Sequence, residues 1–277
     1  MSWVKELEVA VELARAAAGV ALEHYGRVER LTKTHAATTD EAVTLADRAC
    51  QRLIVAGLHE RFPGDGVIGE EDETGSGITS RCPDPMGRVW VIDPIDGTNN
   101  FIAGLGHFAV CIGLLDRGEP VLGVVHDVTR KQVYRAARGL GAFVDERPVQ
   151  ALRTPMSSSS VVMLTSNLLD ADGCAPEWAV SLLRQTDWKV RMLGSAALEA
   201  VQVGAGVAHG AITVNGKLWD AVAAHAVVLE AGGVVCDLVG RPIYPFDARN
   251  YAGAKVPFLA AGVEARSQLL EHISRAS

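Results

Sequence analysis

Apolar residues recur with two different periods along the first part of the chain. They keep helical spacing over residues 3–25 and 45–60, and glycine-containing stops follow both segments, so both are predicted to be helices. Residues 67–69 and 89–92 are short, continuous apolar runs, which are typical of buried strands. The intervening polar segments are predicted to be loops: residues 33–44 and 74–85.

Strand-length apolar runs then follow one another with polar turns between them. They lie at residues 108–115, 121–125 and 132–135. Because the connections are too short for crossover helices, the runs predict an antiparallel meander. Residues 154–160, with one proline and four consecutive serines, follow this region. This composition favours a boundary between an N-terminal domain, residues 1–153, and a C-terminal domain, residues 154–277.

Strands and helices alternate beyond that boundary. The predicted strands are residues 161–164, 188–192 and 211–214. The predicted helices are residues 176–185, 195–203 and 219–231. Such alternation places helices on a mixed sheet. The fold class expected for the whole chain is α+β, a layered sandwich with an antiparallel sheet in the first domain and a mixed sheet in the second.

Composition narrows the kinds of partner. The chain has 277 residues, 48% of them apolar, which allows a large core. Its formal charge of −7 and its lack of a dense Lys/Arg run disfavour a nucleic acid polymer or a membrane surface as partner, and they favour a small molecule. The five cysteines are widely spaced and form no C-x-x-C pair, which suits reduced thiols. Charged residues interrupt the N-terminal segment, so no secretory signal is predicted and a cytoplasmic location is expected.

The segment D-P-I-D-G-T at residues 93–98 carries the strongest candidate chemistry. It directly follows a predicted strand, and Pro94 and Gly97 can aim both of its aspartates at one point. Two adjacent carboxylates repel each other, and Mg²⁺ removes that repulsion because it prefers oxygen ligands. The Ile95 carbonyl can add a further oxygen. If a helix begins near Thr98, the first amides of that helix can bind phosphate.

Two other acidic positions lie at predicted element boundaries. Glu70 follows a short predicted strand, and Asp220 opens a predicted helix. Each also has a plain structural interpretation: a solvated charge run for residues 70–73, and a favourable helix N-terminus for Asp220. The D-P-x-D segment can likewise be an ordinary turn.

The order and spacing of these motifs resemble those of the inositol monophosphatase family of magnesium-dependent, lithium-sensitive phosphatases. The matching segments are IGEE at residues 68–71, WVIDPIDGTNNF at 90–101, GSAAL at 194–198, WD at 219–220 and EAGG at 230–233. The resemblance covers almost the whole chain. It implies the αβαβα sandwich of sugar phosphatases, with the site between the domains, and it suggests a homodimer.

The resemblance also implies roles for individual residues. Two or three Mg²⁺ ions would be bound by a set of oxygen ligands: Glu70, Asp93, the Ile95 carbonyl, Asp96 and Asp220. The implied catalytic residues are Glu70 and Thr98, which orient or deprotonate the attacking water, and Asp47, an acid near the third metal. The implied substrate-binding residues are Gly97 and Thr98 for phosphate and, around the rest of the substrate, Gly194, Ser195, Ala196 and Asp220.

One departure from the family concerns the substrate. Animal inositol monophosphatases have a glutamate seven residues before the aspartate of the WD motif, and this chain has Thr213. Inositol phosphate is therefore not fixed as the substrate. Lys217 can contact a second phosphate or acidic group, although a solvated loop lysine is an equally good interpretation. Asn99, where the family often has threonine, is a milder change.

Three hypotheses follow. The first is Mg²⁺-dependent hydrolysis of an inositol, sugar or histidinol phosphate by metal-activated water. The second is a phosphatase for bisphosphates of nucleotides or fructose, for which Lys217 is the support. The third is a catalytically silent binding protein on the same fold, which the complete acidic set and Thr98 disfavour.

Overall fold

The computed structural model describes residues 2–25, 31–32, 42–43, 45–71, 79–81, 84, 87–169, 172–185 and 187–275. The helices are α1 Val4–His24, α2 Leu45–Arg61, α3 Thr98–Ala103, α4 Glu177–Gln185, α5 Ala196–Gly204, α6 Leu218–Glu230 and α7 Val263–Arg275. In this part of the chain, no helix is both long and apolar enough to cross a bilayer.

Most strands belong to two sheets. Besides the short pair β1 Leu31–Thr32 and β2 Ala42–Val43, the N-terminal strands are β3 Gly66–Gly69, β4 Thr79–Arg81, β5 Arg88–Asp96, β6 Ala109–Asp116, β7 Glu119–Asp127, β8 Gln132–Ala137, β9 Gly141–Val144 and β10 Arg147–Val149. The later strands are β11 Val161–Leu164, β12 Lys189–Arg191, β13 Gly210–Thr213, β14 Val234–Cys236 and β15 Phe258–Ala261.

The first sheet has eight strands in the order β10-β9-β8-β7-β6-β5-β3-β4. All neighbours are antiparallel except β3 and β5, which are parallel. The predicted meander is confirmed as β6, β7 and β8. It continues into β9 and β10, which the apolar pattern does not predict because both strands are short and only partly buried.

The second sheet is mixed, as predicted. Its order is β12-β11-β13-β15-β14. Strand β11 is parallel to β12 and β13, whereas β15 is antiparallel to β13 and β14. The carboxyl ends of β11 and β13 therefore lie at the same edge, where ligand sites commonly form. The predictions from the sequence did not include β14, β15 or α7.

Among the described residues, four hydrophobic clusters join five layers. Helices α1 and α2 pack on the outer face of the first sheet. Helices α5 and α6 lie between the two sheets, and α4 and α7 cover the outer face of the second. The predicted αβαβα sandwich is confirmed. The division into domains 1–153 and 154–277 stays a prediction.

Several boundaries differ from the predictions. Strand β5 extends to Asp96, with an irregularity in its pairing with β6 between Asp93 and Asp96, so the acidic segment belongs to the strand end rather than to a loop after it. Strand β4 lies inside the loop predicted at 74–85, most of which is outside the described residues. The loop predicted at 33–44 also lies outside them, apart from β2.

Two glycines let α6 approach the first sheet closely. A Cβ on Gly123 in β7 would lie 1.9 Å from the Ala223 carbonyl oxygen, and one on Gly113 in β6 would lie 2.8 Å from the Ala223 amide nitrogen. Any side chain there would push the helix away from the sheet. Because Asp220 occupies the first turn of α6, this contact helps to place its carboxylate beside β5.

We therefore expect Gly123→Ala to lower the free energy of unfolding by about 1–3 kcal/mol, the usual cost of overpacking. Urea denaturation measures the change. The matched control is Gly19→Ala in α1, where an added Cβ meets no atom within 4 Å. That variant should be as stable as the original protein or up to about 1 kcal/mol more stable. Equal stability of the two variants would contradict the close contact.

Candidate active site

Three predicted aspartates converge at one point. Asp93 and Asp96 lie at the irregular end of β5, and Asp220 lies in the first turn of α6. One carboxylate oxygen from each lies within 4.8 Å of those of the other two. Glu70 follows β3, which runs parallel to β5, and the Glu70 amide donates to the Ile92 carbonyl at 3.2 Å. Glu70 lines the same cavity, so the acids predicted from three distant segments share one site.

The cavity around these acids has a volume of about 200 Å³. Its wall includes most of the residues predicted for the site: Glu70, Asp93, Ile95, Asp96, Gly97, Thr98, Gly194, Ala196 and Asp220. Further polar residues complete it: Glu71, Asn99, Asn100, Thr165, Ser166, Asn167, Asn215 and Lys217. The cavity thus joins an acidic end to a wall of amides and hydroxyls.

Short hydrogen-bonded links hold the acidic turn. The Ile95 amide donates to Asp93 Oδ1 at 3.0 Å, and Thr98 Oγ1 donates to the Ile95 carbonyl at 3.0 Å. Gly97, which precedes α3, has φ of +95°. A Cβ on Gly97 would lie 3.1 Å from the His107 carbonyl oxygen. Glycine is therefore required at the bend, and a short helix, α3, begins at Thr98.

Asp96 also anchors the N-terminus of α5. The amides of Ala196 and Ala197 donate to its carboxylate at 3.2 and 2.9 Å, and the Ser195 hydroxyl donates to it as well. Ser195 accepts the Leu198 amide at 3.3 Å and is buried behind the cavity wall. The structure thus places Gly194 and Ala196 on the wall, whereas Ser195 contacts Asp96. A contact between Ser195 and substrate stays a prediction.

Asp47 is placed differently from the other predicted acids. It is buried in the first turn of α2 and is not among the described residues that line the cavity. One turn later, Gln51 Oε1 accepts the Glu71 amide at 3.0 Å, and Gln51 Nε2 donates to the Glu71 carbonyl. Helix α2 is thereby tied to the segment that carries Glu70. The catalytic role of Asp47 stays a prediction.

Burial raises the pKa of two aspartates in the cluster. Burial raises the pKa of Asp93 well above its ordinary value of 3.8, and the charges of Glu70, Asp96 and Asp220 raise it further. Burial also raises the pKa of Asp96, against the hydrogen bonds that Ser195 and α5 donate. Carboxylates arranged in this way hold protons or require a cation between them.

The donor set fits hard divalent cations. Every group predicted to bind metal offers oxygen, which Mg²⁺ prefers. Among the described residues of the cavity wall, Lys217 is the one with a positive charge, and its Nζ donates to the Gly253 carbonyl at 2.5 Å. The main-chain amide of Lys217 donates to Asp220 Oδ2 at 2.7 Å. The cluster therefore has the composition of a site for a metal ion.

One buried acid near the cavity was not predicted. Glu199 in α5 accepts the amides of Leu193 and Gly194 at 2.6 and 3.0 Å. Burial raises its pKa to about 8, the charge of Asp96 adds to the increase, and the two hydrogen bonds oppose it. The signal in the sequence that could have identified Glu199 was the position of a glutamate inside an apolar helical run. For Thr165 to Asn167 and Asn215, the signal was their position after the parallel strands β11 and β13.

Comparison with known proteins agrees with this geometry. The model of the inositol monophosphatase family matches residues 3–274. A Thermotoga maritima protein named fructose-1,6-bisphosphatase/inositol-1-monophosphatase is 32% identical over 245 residues, which cover 88% of this chain and 89% of that protein. A histidinol-phosphatase of Chlorobaculum parvum is 37% identical over 239 residues, covering 85% of this chain and 87% of its own.

The fold agrees equally well. A solved structure of a Thermotoga maritima IMPase matches with a TM-score of 0.82 and 28% identity, and the match covers 98% of each chain. The family match, the shared fold and the converging acids lead to one conclusion. This chain belongs to the inositol monophosphatase family and is a phosphoric monoester hydrolase.

Proposed function

We propose that this chain hydrolyses a small phosphorylated metabolite, an inositol, sugar or histidinol phosphate, with Mg²⁺ as its cofactor. The observation that carries the proposal is the approach of Asp93, Asp96 and Asp220 to within 4.8 Å in a cavity that Glu70 also lines. A phosphate monoester carries about two negative charges near neutral pH, so bare carboxylates would repel it. Cations between the acids and the ester would convert that repulsion into attraction.

The proposed metal ligands are Glu70, Asp93, the Ile95 carbonyl, Asp96 and Asp220, which would hold two or three ions. When bound, the cations would lower the pKa of a coordinated water and stabilise the leaving oxygen. Asp47 stays a predicted acid near the third ion. A homodimer and a cytoplasmic location also stay predictions.

Thr98 and Glu70 would then prepare the water for attack. The single hydroxyl proton of Thr98 is donated to the Ile95 carbonyl at 3.0 Å, so its oxygen is left to accept a hydrogen bond from water. Glu70 would accept one proton from the water as the water oxygen bonds to phosphorus and the ester oxygen departs as an alkoxide. Solvent water would protonate the alkoxide and regain a proton from Glu70. The products are the free alcohol and inorganic phosphate. The amides of Gly97 and Thr98 would donate to the phosphate oxygens.

The wall opposite the acids suits a polar organic group. Ser166 and Asn167 follow β11, and Asn215 follows β13. Asn215 Nδ2 donates to the carbonyls of Asn167 and Leu169 at 2.9 and 3.0 Å, which ties the two loops together. Thr213 is buried in β13 and does not line the cavity. We infer that amide and hydroxyl groups, rather than a carboxylate at position 213, recognise the substrate hydroxyls.

A bisphosphate is the second candidate substrate. Lys217 lines the cavity, and one of the relatives is named for both bisphosphatase and monophosphatase activities. The Lys217 ammonium has three donor hydrogens, and its bond to Gly253 uses one of them. A second phosphate that reached this lysine would gain a charge-assisted hydrogen bond.

We expect Asp220→Asn to lower kcat/KM for a phosphate monoester by at least about 100-fold, because it removes a charged ligand. Asparagine can still accept the Lys217 amide, so the start of α6 is retained. Phosphate release with Mg²⁺ measures the effect over a panel of phosphorylated metabolites. The control Asp247→Asn breaks only an exposed pair with Arg249 and should keep full activity. Activity that survives both chelation and Asp220→Asn would refute the proposal.

Mg²⁺ should raise Tm more at pH 8 than at pH 5, because protons compete with cations for the buried acids. The pKa values of Asp93 and Asp96 lie above 3.8 in the folded protein. Their contribution to stability is therefore complete below pH 3.8 and is lost as pH rises through the raised values. With a chelator present, Tm should fall as the pH rises through the raised pKa values. Added Mg²⁺ should offset this fall in Tm. Equal Mg²⁺ shifts at both pH values in thermal scans would contradict this coupling.

If a bisphosphate is the substrate, Lys217→Met should lower kcat/KM for it by about tenfold, which corresponds to about 1.4 kcal/mol of lost interaction. Hydrolysis of a matched monophosphate should change little. Lys255→Met, at an exposed lysine close in sequence to Gly253, is the control and should affect neither substrate. An equal loss on both substrates would exclude a specific contact between Lys217 and a second phosphate.

A further inference from the structure

Residues 193–194 are here called the substrate loop. Their main-chain groups form hydrogen bonds with two side chains, those of Glu199 and Asn100. Glu199 Oε1 accepts the amides of Leu193 and Gly194 at 2.6 and 3.0 Å. Asn100 Nδ2 donates to the Leu193 carbonyl at 2.7 Å and to the His107 carbonyl at 2.9 Å. Gly194 itself has φ of +82°, and a Cβ there would lie 3.0 Å from Asn100 Nδ2. The loop is thus held in one conformation by specific bonds.

Packing alone does not explain a glutamate at position 199. The side chain is 1% exposed, and its helix neighbours Ala197, Leu198, Ala200 and Val201 are all buried and apolar. Within the described part of the chain, its Oε2 has no hydrogen-bond partner, which is costly for a buried carboxyl group. An apolar residue would fill the same space without that cost. The two bonds from the substrate loop are the interaction that an apolar residue would lose.

The loop forms part of the cavity wall. Gly194 and Ala196 line the cavity, on the side contributed by α5. Asp96 binds the next amides along the chain, those of Ala196 and Ala197. The two acids therefore bind different amides of this segment. Asp96 accepts those at the start of α5, and Glu199 accepts those of the substrate loop, which precedes α5.

We propose that Glu199 is a positioning residue that holds the substrate loop in the conformation that receives the organic part of the substrate. It would therefore govern KM for the phosphate ester but not the affinity for inorganic phosphate. This inference rests on the proposed phosphatase function. Inorganic phosphate is the suitable probe because it would bind the cations and the turn at Gly97, and it has no organic part for the loop to receive.

The test compares Glu199→Ala with Glu199→Gln. We expect the alanine variant to raise KM about tenfold, as lost hydrogen bonds worth about 1.4 kcal/mol would do, with kcat and the inhibition constant of inorganic phosphate nearly unchanged. The glutamine variant keeps an oxygen that accepts both amides and should restore KM. If the alanine variant does not fold, Glu199→Leu removes the acceptor while filling the volume.

The matched control is Glu230→Ala. Glu230 likewise accepts two loop amides, those of Gly139 and Gly141 at 3.0 and 3.3 Å, but it does not line the cavity. The Glu230→Ala variant should leave KM for the phosphate ester unchanged. A KM change in Glu199→Ala that is accompanied by an equal change in phosphate inhibition would indicate general disruption and overturn the proposal.

Amide hydrogen exchange over residues 190–198 provides a reading that does not depend on activity. Exchange should accelerate in Glu199→Ala and stay slow in Glu199→Gln and Glu230→Ala. Unchanged exchange in Glu199→Ala overturns the positioning role whatever the kinetics. If the original protein hydrolyses no ester in the panel while exchange accelerates as expected, the proposed function fails and the loop-holding role of Glu199 is supported.

Discussion

Buried carboxylates that face one cavity repel each other, and the architecture of this protein holds them together against that repulsion. Each aspartate of the cluster accepts at least one main-chain amide: Ile95 donates to Asp93, the start of α5 to Asp96, and Lys217 to Asp220. These bonds favour the charged forms, whereas burial and mutual repulsion favour the protonated forms. The close contact of α6 with the first sheet keeps Asp220 beside the other two aspartates. Because the carboxylates repel one another, a cation bound between them would offset that repulsion.

The two halves of the cavity have different structural origins. The strand end at Asp93 and the first turn of α6 contribute the acids, the proposed cation ligands. The loops after β11 and β13, with the loop before α5, contribute amides, hydroxyls and main chain to the rest of the cavity wall. This separation allows one hydrolytic centre to serve different alcohols. It is consistent with relatives whose names refer to inositol, fructose and histidinol phosphates.

Much of the fold could be predicted from local patterns. Helices α1 and α2 have clear periodicity, and strands β6 to β8 are apolar runs between polar turns, so their types were predicted correctly. Strands β4 and β9 have only three and four residues, too few for a local pattern to distinguish them from loops. The turn at Asp93 was identifiable from its spacing, but its meeting with Asp220 depends on the packing of α6. Glu199 was missed because the role of a buried glutamate depends on the amides it meets.

Asp96 has a further consequence for how this enzyme can diverge. Its carboxylate is a proposed cation ligand and also the acceptor for Ser195, Ala196 and Ala197. Substitutions that displace the start of α5 would therefore disturb the cation site at the same time. The loops at 165–167 and 215–217 carry no such bond to Asp96 among the described contacts. New substrate preferences can arise more readily in those loops than at the α5 terminus, which is bonded to a proposed cation ligand.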